Sequence, residues 1–73
     1  MKGNIVMKDF EQFLQKSYEV KNEHGYVNYM KINLQDRNIV EYLKLSGLIA
    51  NIRYLGMNAV GFDLTYKGLH YFD

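Results

Sequence analysis

The chain has no cysteine and no proline, carries almost no net charge, and contains no long apolar run. Without cysteine, neither a disulfide framework nor a thiolate metal site can staple it, and a reducing, cytoplasmic location is the natural expectation. Without proline there is no sign of an extended hinge. No internal repeat or low-complexity linker divides the sequence either, so residues 1–73 are read as one domain. No stretch approaches the ~18 uninterrupted apolar residues of a membrane span, and the start of the chain lacks the apolar core and cleavage site of a signal peptide. A membrane partner is therefore not expected.

Chemical motifs are equally scarce. His24 and His70 lie far apart, and no Ser, Asp or Glu forms a recognised nucleophile or metal pattern around either. The six glycines are too widely spaced to cradle a phosphate between a strand and a helix. Neither an enzyme nor a cofactor or metal site is expected.

What the chain does have is apolar side chains: 48% of its residues, with seven Tyr and four Phe. At this length a single hydrophobic core is only just sufficient, and some apolar surface can be left over for a partner.

Periodicity arranges that supply. Phe10, Phe13, Leu14 and Ser17 or Tyr18 repeat at helical spacing, with Lys8, Glu11, Gln12, Lys16 and Glu19 outside. Asp9 and Gln12 make a capping-box variant at the front, where Ile5 and Val6 either extend the helix or pack against it. This first helix should end at 21–24, before Gly25. The β-branched and aromatic content of 26–32 favours a short strand. A central helix follows over 35–46: Ile39, Tyr42, Leu43 and Ser46 share one side, Asn33 and Asp36 are both candidate caps, and Gly47 is the stop. Two strands, 48–54 and one around Val60, Phe62 and Leu64, flank a turn in which Gly56, Asn58 and Gly61 tolerate positive φ. Thr65 can then cap a short helix carrying Tyr66, Leu69, Tyr71 and Phe72. Gly68 inside it implies close packing against the first helix or a strand.

The order of central helix, SGLI step, strand, turn, strand and closing LTYKGLHYF segment resembles the C-terminal half of a winged helix-turn-helix domain. The spacing of Leu64, Thr65, Gly68 and Tyr71 is similar to the end of many small bacterial and phage winged-helix proteins. The resemblance covers half to three quarters of the chain. It implies an α+β winged-helix domain with a long N-terminal helix, a central recognition helix, a two-stranded antiparallel wing and a short C-terminal helix. It also implies binding to double-stranded DNA in transcriptional control. The sequence departs from the family before Asn33, where too few residues remain for both a strand and an ordinary second helix. That helix is either a single turn or replaced by extended chain.

On this reading Arg37, Asn38 and Lys44 of the central helix and Arg53 and Asn58 of the wing take the DNA-contact roles, with Lys31 nearby. The charge pattern lends little weight, since the chain's net charge is +1 and Asp36 and Glu41 offset Arg37 and Lys44. Arg37 and Glu41 are placed for an i, i+4 pair. The alternative is a protein-interaction module, a homodimer or partner binder, that keeps the winged shape without reading DNA. Its candidate anchors are Tyr54, Leu55, Met57 and Val60 at the wing and Tyr66, Tyr71 and Phe72 at the C-terminus. Rings in so small a domain are often core, so the test is whether several prove exposed together.

Overall fold

A computed structural model describes residues 7–73, so the contribution expected of Ile5 and Val6 lies outside the described residues. The elements run α1 (Met7–Val20), β1 (Tyr26–Lys31), α2 (Asp36–Leu45), β2 (Ile49–Tyr54), β3 (Ala59–Leu64) and α3 (Tyr66–Leu69). This is a small α+β fold. Its helices lie on one face of a three-stranded antiparallel sheet of order β1-β3-β2.

The expected pairing of β2 with β3 is present, Ile49 opposite Leu64 and Tyr54 opposite Val60. The two strands are not a free-standing wing, however. β1 pairs along the other side of β3, Val27 opposite Phe62 and Lys31 opposite Ala59. The reason lies in β3, where Val60, Phe62 and Leu64 are buried along one face and Ala59 and Gly61 are buried as well. A strand this enclosed needs a neighbour on each edge to satisfy its backbone. Gly61 makes the second neighbour possible, since a Cβ there would stand 2.9 Å from the Asn28 carbonyl oxygen.

Each outer strand carries an irregularity, between Val27 and Met30 in β1 and between Ala50 and Arg53 in β2. An extra residue at each place resets the alternation, so Val27 and Met30, three apart, both turn to the core. In β2 the turn is made by Asn51, which takes φ 55. The simple alternation expected over 48–54 is broken there for that reason.

α1 buries Phe10, Phe13 and Leu14 as expected, with Phe13 stacked on Phe62 at 6.3 Å between ring centroids. It is already helical at Met7, so Asp9 sits inside the first turn and cannot be its cap. It also stops earlier than expected, at Val20. Asn22 ends it by folding the chain into a turn, its Oδ1 accepting the His24 and Tyr26 backbone N–H groups at 2.9 and 3.0 Å.

Ahead of α2, Asn33 and Asp36 cap reciprocally, each side chain accepting the other's backbone N–H at 3.0 Å. Between β1 and α2 the chain thus makes a turn and no ordinary helix. α2 buries Ile39, Val40 and Leu43, so the core stripe lies one position round from the expected one and Tyr42 is left on its rim. Gly47 does stop the helix, at φ 77, with the Leu48 N–H bonded to the Leu43 carbonyl at 2.9 Å.

Thr65 caps α3, its Oγ1 accepting the Gly68 N–H at 3.0 Å and donating to the Gly47 carbonyl at 2.7 Å. α3 ends at Leu69, so Tyr71 and Phe72 lie in the turn beyond it. Gly68 is pressed against the backbone of Leu48, the segment entering β2, and its carbonyl accepts the Tyr18 hydroxyl of α1.

Candidate interaction surface

The side chains expected to touch DNA are split among three places. Arg37, Asn38 and Lys44 lie on α2, Asn58 on the β2–β3 turn, and Arg53 on the face of the sheet turned away from the helices.

Their partners matter more than their positions. The Arg37 guanidinium lies 4.0 Å from the centre of the Tyr54 ring. Glu41 does not pair with Arg37 in the expected i, i+4 manner. It takes Lys44 at 3.5 Å, and its Oε2 accepts the Tyr54 hydroxyl at 3.3 Å. Spacing explains the outcome: 37, 41 and 44 lie along one side of α2, and that side runs beside β2, where Tyr54 stands between the two charges. Partial burial, with the Glu41 carboxylate adding to it, holds the Tyr54 phenol above its ordinary pKa.

Arg53 is occupied too. Its Nη1 donates to the Asn51 carbonyl at 2.7 Å and lies 3.9 Å from an Asp63 oxygen. It reaches across Gly61, where an added Cβ would come within 3.1 Å of the guanidinium. Asn51 Nδ2 donates to the same Asp63 carboxylate at 2.7 Å, so Asn51, Arg53 and Asp63 form one network across the outer face. Asn58 leaves its side chain in water, while its carbonyl accepts the Ile32 N–H at 2.8 Å and draws the hairpin turn to the end of β1.

The neighbouring side of α2 is different. Tyr42 is 40% exposed and Leu45, one turn on, is 81% exposed. Tyr42 leans edge-on against Phe10 at 5.1 Å, and Phe10 meets Tyr71 at 5.4 Å. Tyr71 meets Phe72 at 5.0 Å, and Phe72 meets Tyr18 at 6.0 Å. A continuous run of rings thus crosses from α2 over α1 to the C-terminal turn. Lys67 Nζ and Thr65 Oγ1 reach the Ser46 and Gly47 carbonyls at 3.0 and 2.7 Å, which brings the start of α3, where Tyr66 is 79% exposed, to the C-terminal end of α2, where Leu45 lies. Phe72 closes the other end at 42% exposure.

Of the expected interface anchors, Tyr66 and Phe72 are exposed, Tyr71 is half-buried in the ring run, and Val60 is no anchor, being wholly buried in β3. Leu55 and Met57 are exposed on the hairpin turn, and Tyr54 instead packs on the core beneath Arg37. Leu45 was not anticipated. The signal for it is an apolar residue in line with Asn38 and Tyr42 at i, i+4 and i+7, on the polar side of the helix.

His24 lies beside Glu23 and Tyr26, and His70 contacts Asp73 and stacks on Tyr66. Among the described residues, no three His, Asp or Glu side chains gather into a metal site, and no helix is long and apolar enough to cross a membrane. A shallow depression of about 350 Å³ between α1 and β1 has Val20, Tyr29 and Met30 as its apolar floor, with Lys16, Glu19 and Lys31 at its rim. No family model, curated protein or solved structure matches the chain.

Proposed function

We propose that this chain is a small protein-association module, a reduced winged-helix body in which the turn at 33–35 stands in place of a second helix. Its working surface is the face carrying Tyr42, Leu45, Tyr66 and Phe72. One contrast carries the reading. On one side of α2, Arg37, Glu41 and Lys44 are engaged with one another or with Tyr54. On the adjacent side, Tyr42 and Leu45 are left facing water. Duplex binding draws on cations free to neutralise phosphates, whereas association draws on apolar area removed from water. The side of α2 without charge pairs is the one that carries Tyr42 and Leu45.

The DNA reading, with contacts from Arg37, Asn38, Lys44, Arg53 and Asn58, draws on one arrangement. The Arg37–Tyr54 stack ties the start of α2 to the strand that leads into the hairpin. Salt separates the two readings. Anisotropy of a labelled duplex titrated with the protein at about 50 and about 200 mM salt is expected to show no salt-dependent complex. A dye that lights up on apolar surface is expected to bind the wild type and to lose most of its signal on Leu45→Glu. Duplex binding that collapses between those salt concentrations, and that Arg37→Ala with Lys44→Ala weakens, would overturn the association reading in favour of DNA.

A further inference from the structure

Resting on that association reading, we propose that the partner is a second copy of this chain. The two copies would join across a two-fold axis through the Tyr42, Leu45, Tyr66 and Phe72 face.

Area is the first argument. A large side chain presents on the order of 200 Å² when bare, so the exposed fractions of those side chains leave roughly 450 Å² of mostly apolar surface. One side of a standard stable interface covers about 800 Å², of which about 55–65% is apolar. The face therefore holds about the apolar area that one half of a dimer contributes.

Charge is the second. A two-fold interface sets the same patch against itself, so any net charge on the patch is doubled in repulsion. The chain carries +1 overall; Glu41 and Lys44 cancel as a pair, which leaves Lys67, bonded to the Ser46 carbonyl, as an uncancelled charge beside the face. Two copies approach against a weak field, where two strongly charged faces would meet a strong one.

The third is that the competing route to self-association is blunted. A three-stranded sheet of order β1-β3-β2 has β1 and β2 as open edges, and an open edge is a template for strand pairing between copies. Both edges are interrupted by a register shift, and on β2 the Arg53 side chain already bonds the Asn51 carbonyl. Side-by-side strand addition would meet a broken ladder on either edge, while the ring face is unobstructed. Rigid aromatic side chains, already held by Phe10 and Tyr71 behind them, also lose little freedom on docking.

Sedimentation equilibrium of the wild-type chain from micromolar to millimolar concentration tests this. A reversible monomer–dimer equilibrium is expected, with Leu45→Glu raising the dissociation constant at least thirtyfold, roughly the loss of one interface hot spot. Leu45 touches water over most of its surface, so the variant folds, which circular dichroism checks. Tyr66→Glu is a second disruptor at the far side of the face, and Met57→Glu on the hairpin is expected to leave the equilibrium unchanged. A dimer insensitive to Leu45→Glu and Tyr66→Glu but broken by Met57→Glu would overturn the proposal. So would a strict monomer at millimolar concentration. In that second case, capture of cellular proteins that depends on Leu45 would leave the association reading standing with a different partner, and no Leu45-dependent capture would remove both.

Discussion

Gly68→Ala is the substitution whose cost can be worked most fully from the structure. An alanine Cβ at this position would stand 2.0 Å from the Leu48 carbonyl oxygen and 3.0 Å from its carbon. Ordinary contact needs about 3.5 Å, so α3 and the start of β2 must separate by about 1.5 Å. Both sides are backbone, and no side-chain rotation relieves the clash. The separation pulls on the Thr65 N–H bond to that same carbonyl at 3.1 Å, the Thr65 Oγ1 bond to the Gly47 carbonyl and the Tyr18 hydroxyl bond to the Gly68 carbonyl. Forcing a methyl into a filled site costs about 1–3 kcal/mol and each weakened hydrogen bond about 1 kcal/mol. The better helix propensity of alanine returns about 1 kcal/mol, leaving a net loss of about 3–5 kcal/mol. For a domain of this size that lowers Tm by about 12–40 °C. Urea unfolding followed by far-UV circular dichroism should give a lower midpoint with an unchanged slope. Gly47→Ala is the control for backbone freedom alone. With φ 77 and open space around it, it should cost only about 1 kcal/mol. A Gly68→Ala protein melting within a few degrees of wild type would refute the close approach of α3 to Leu48 and, with it, the seating of the start of α3 at the end of α2.

Asn51 holds φ 55 within β2, so Asn51→Gly should be tolerated better than Asn51→Ala, the reverse of the usual strand preference. Alanine there is expected to cost about 2 kcal/mol from the left-handed backbone and the lost bond to Asp63, and an alanine variant at least as stable as the glycine one would refute the bulge. Burial, with Asp73 adding to it, raises the Tyr18 pKa, and burial with Glu41 raises that of Tyr54. A raised pKa means the folded chain keeps its phenolic proton longer, so the associated stability is full below about pH 10 and is lost as pH climbs through the folded-state values. Stability followed from pH 9 upward should fall, and Tyr18→Phe and Tyr54→Phe should each flatten the decline; an unchanged slope in both would contradict the burial of these phenols. The duplex titration and the Leu45→Glu dissociation constant complete the set.

The helices and turns were legible because their signals are local. Thr65 and Gly47 act where cap and stop chemistry place them, and Gly68 does mark a close approach, though to Leu48 rather than to a helix or a strand. What escaped depended on register. In β2 the alternation read from 48–54 sets Ile49 and Ile52 on opposite faces, yet both serve the core because Asn51 inserts an extra residue between them. Nothing in the residue types distinguishes that asparagine from one in a regular strand. The third strand went unassigned to the sheet for a related reason: β1 finds β3 across more than 30 residues of chain, and its pattern is broken by its own bulge. The candidate site suffered similarly. Counting Arg37, Lys44 and Arg53 as available cations presumes free side chains, and whether a cation is free depends on contacts such as Tyr54 under Arg37 and Asn51 behind Arg53.

Those contacts also explain why the two sides of the sheet differ in character. The outer face has Gly61 and Ala59 at its centre, which give a partner little to grip, and Arg53 is drawn flat over Gly61 by Asn51 and Asp63. Freeing that arginine for a ligand would break a 2.7 Å bond and expose the strand beneath it. The helical side is built the other way. Phe10 is buried in the core, and Tyr42 of α2 and Tyr71 of the C-terminal turn are set edge-on against it. Rings recruited to seal the core necessarily present their far edges outward, and Phe72 and Leu45 extend that apolar margin past what the monomer requires. Leu45, 81% exposed and outside the buried cluster, is the residue on which the association reading turns, since docking would remove its side chain from water.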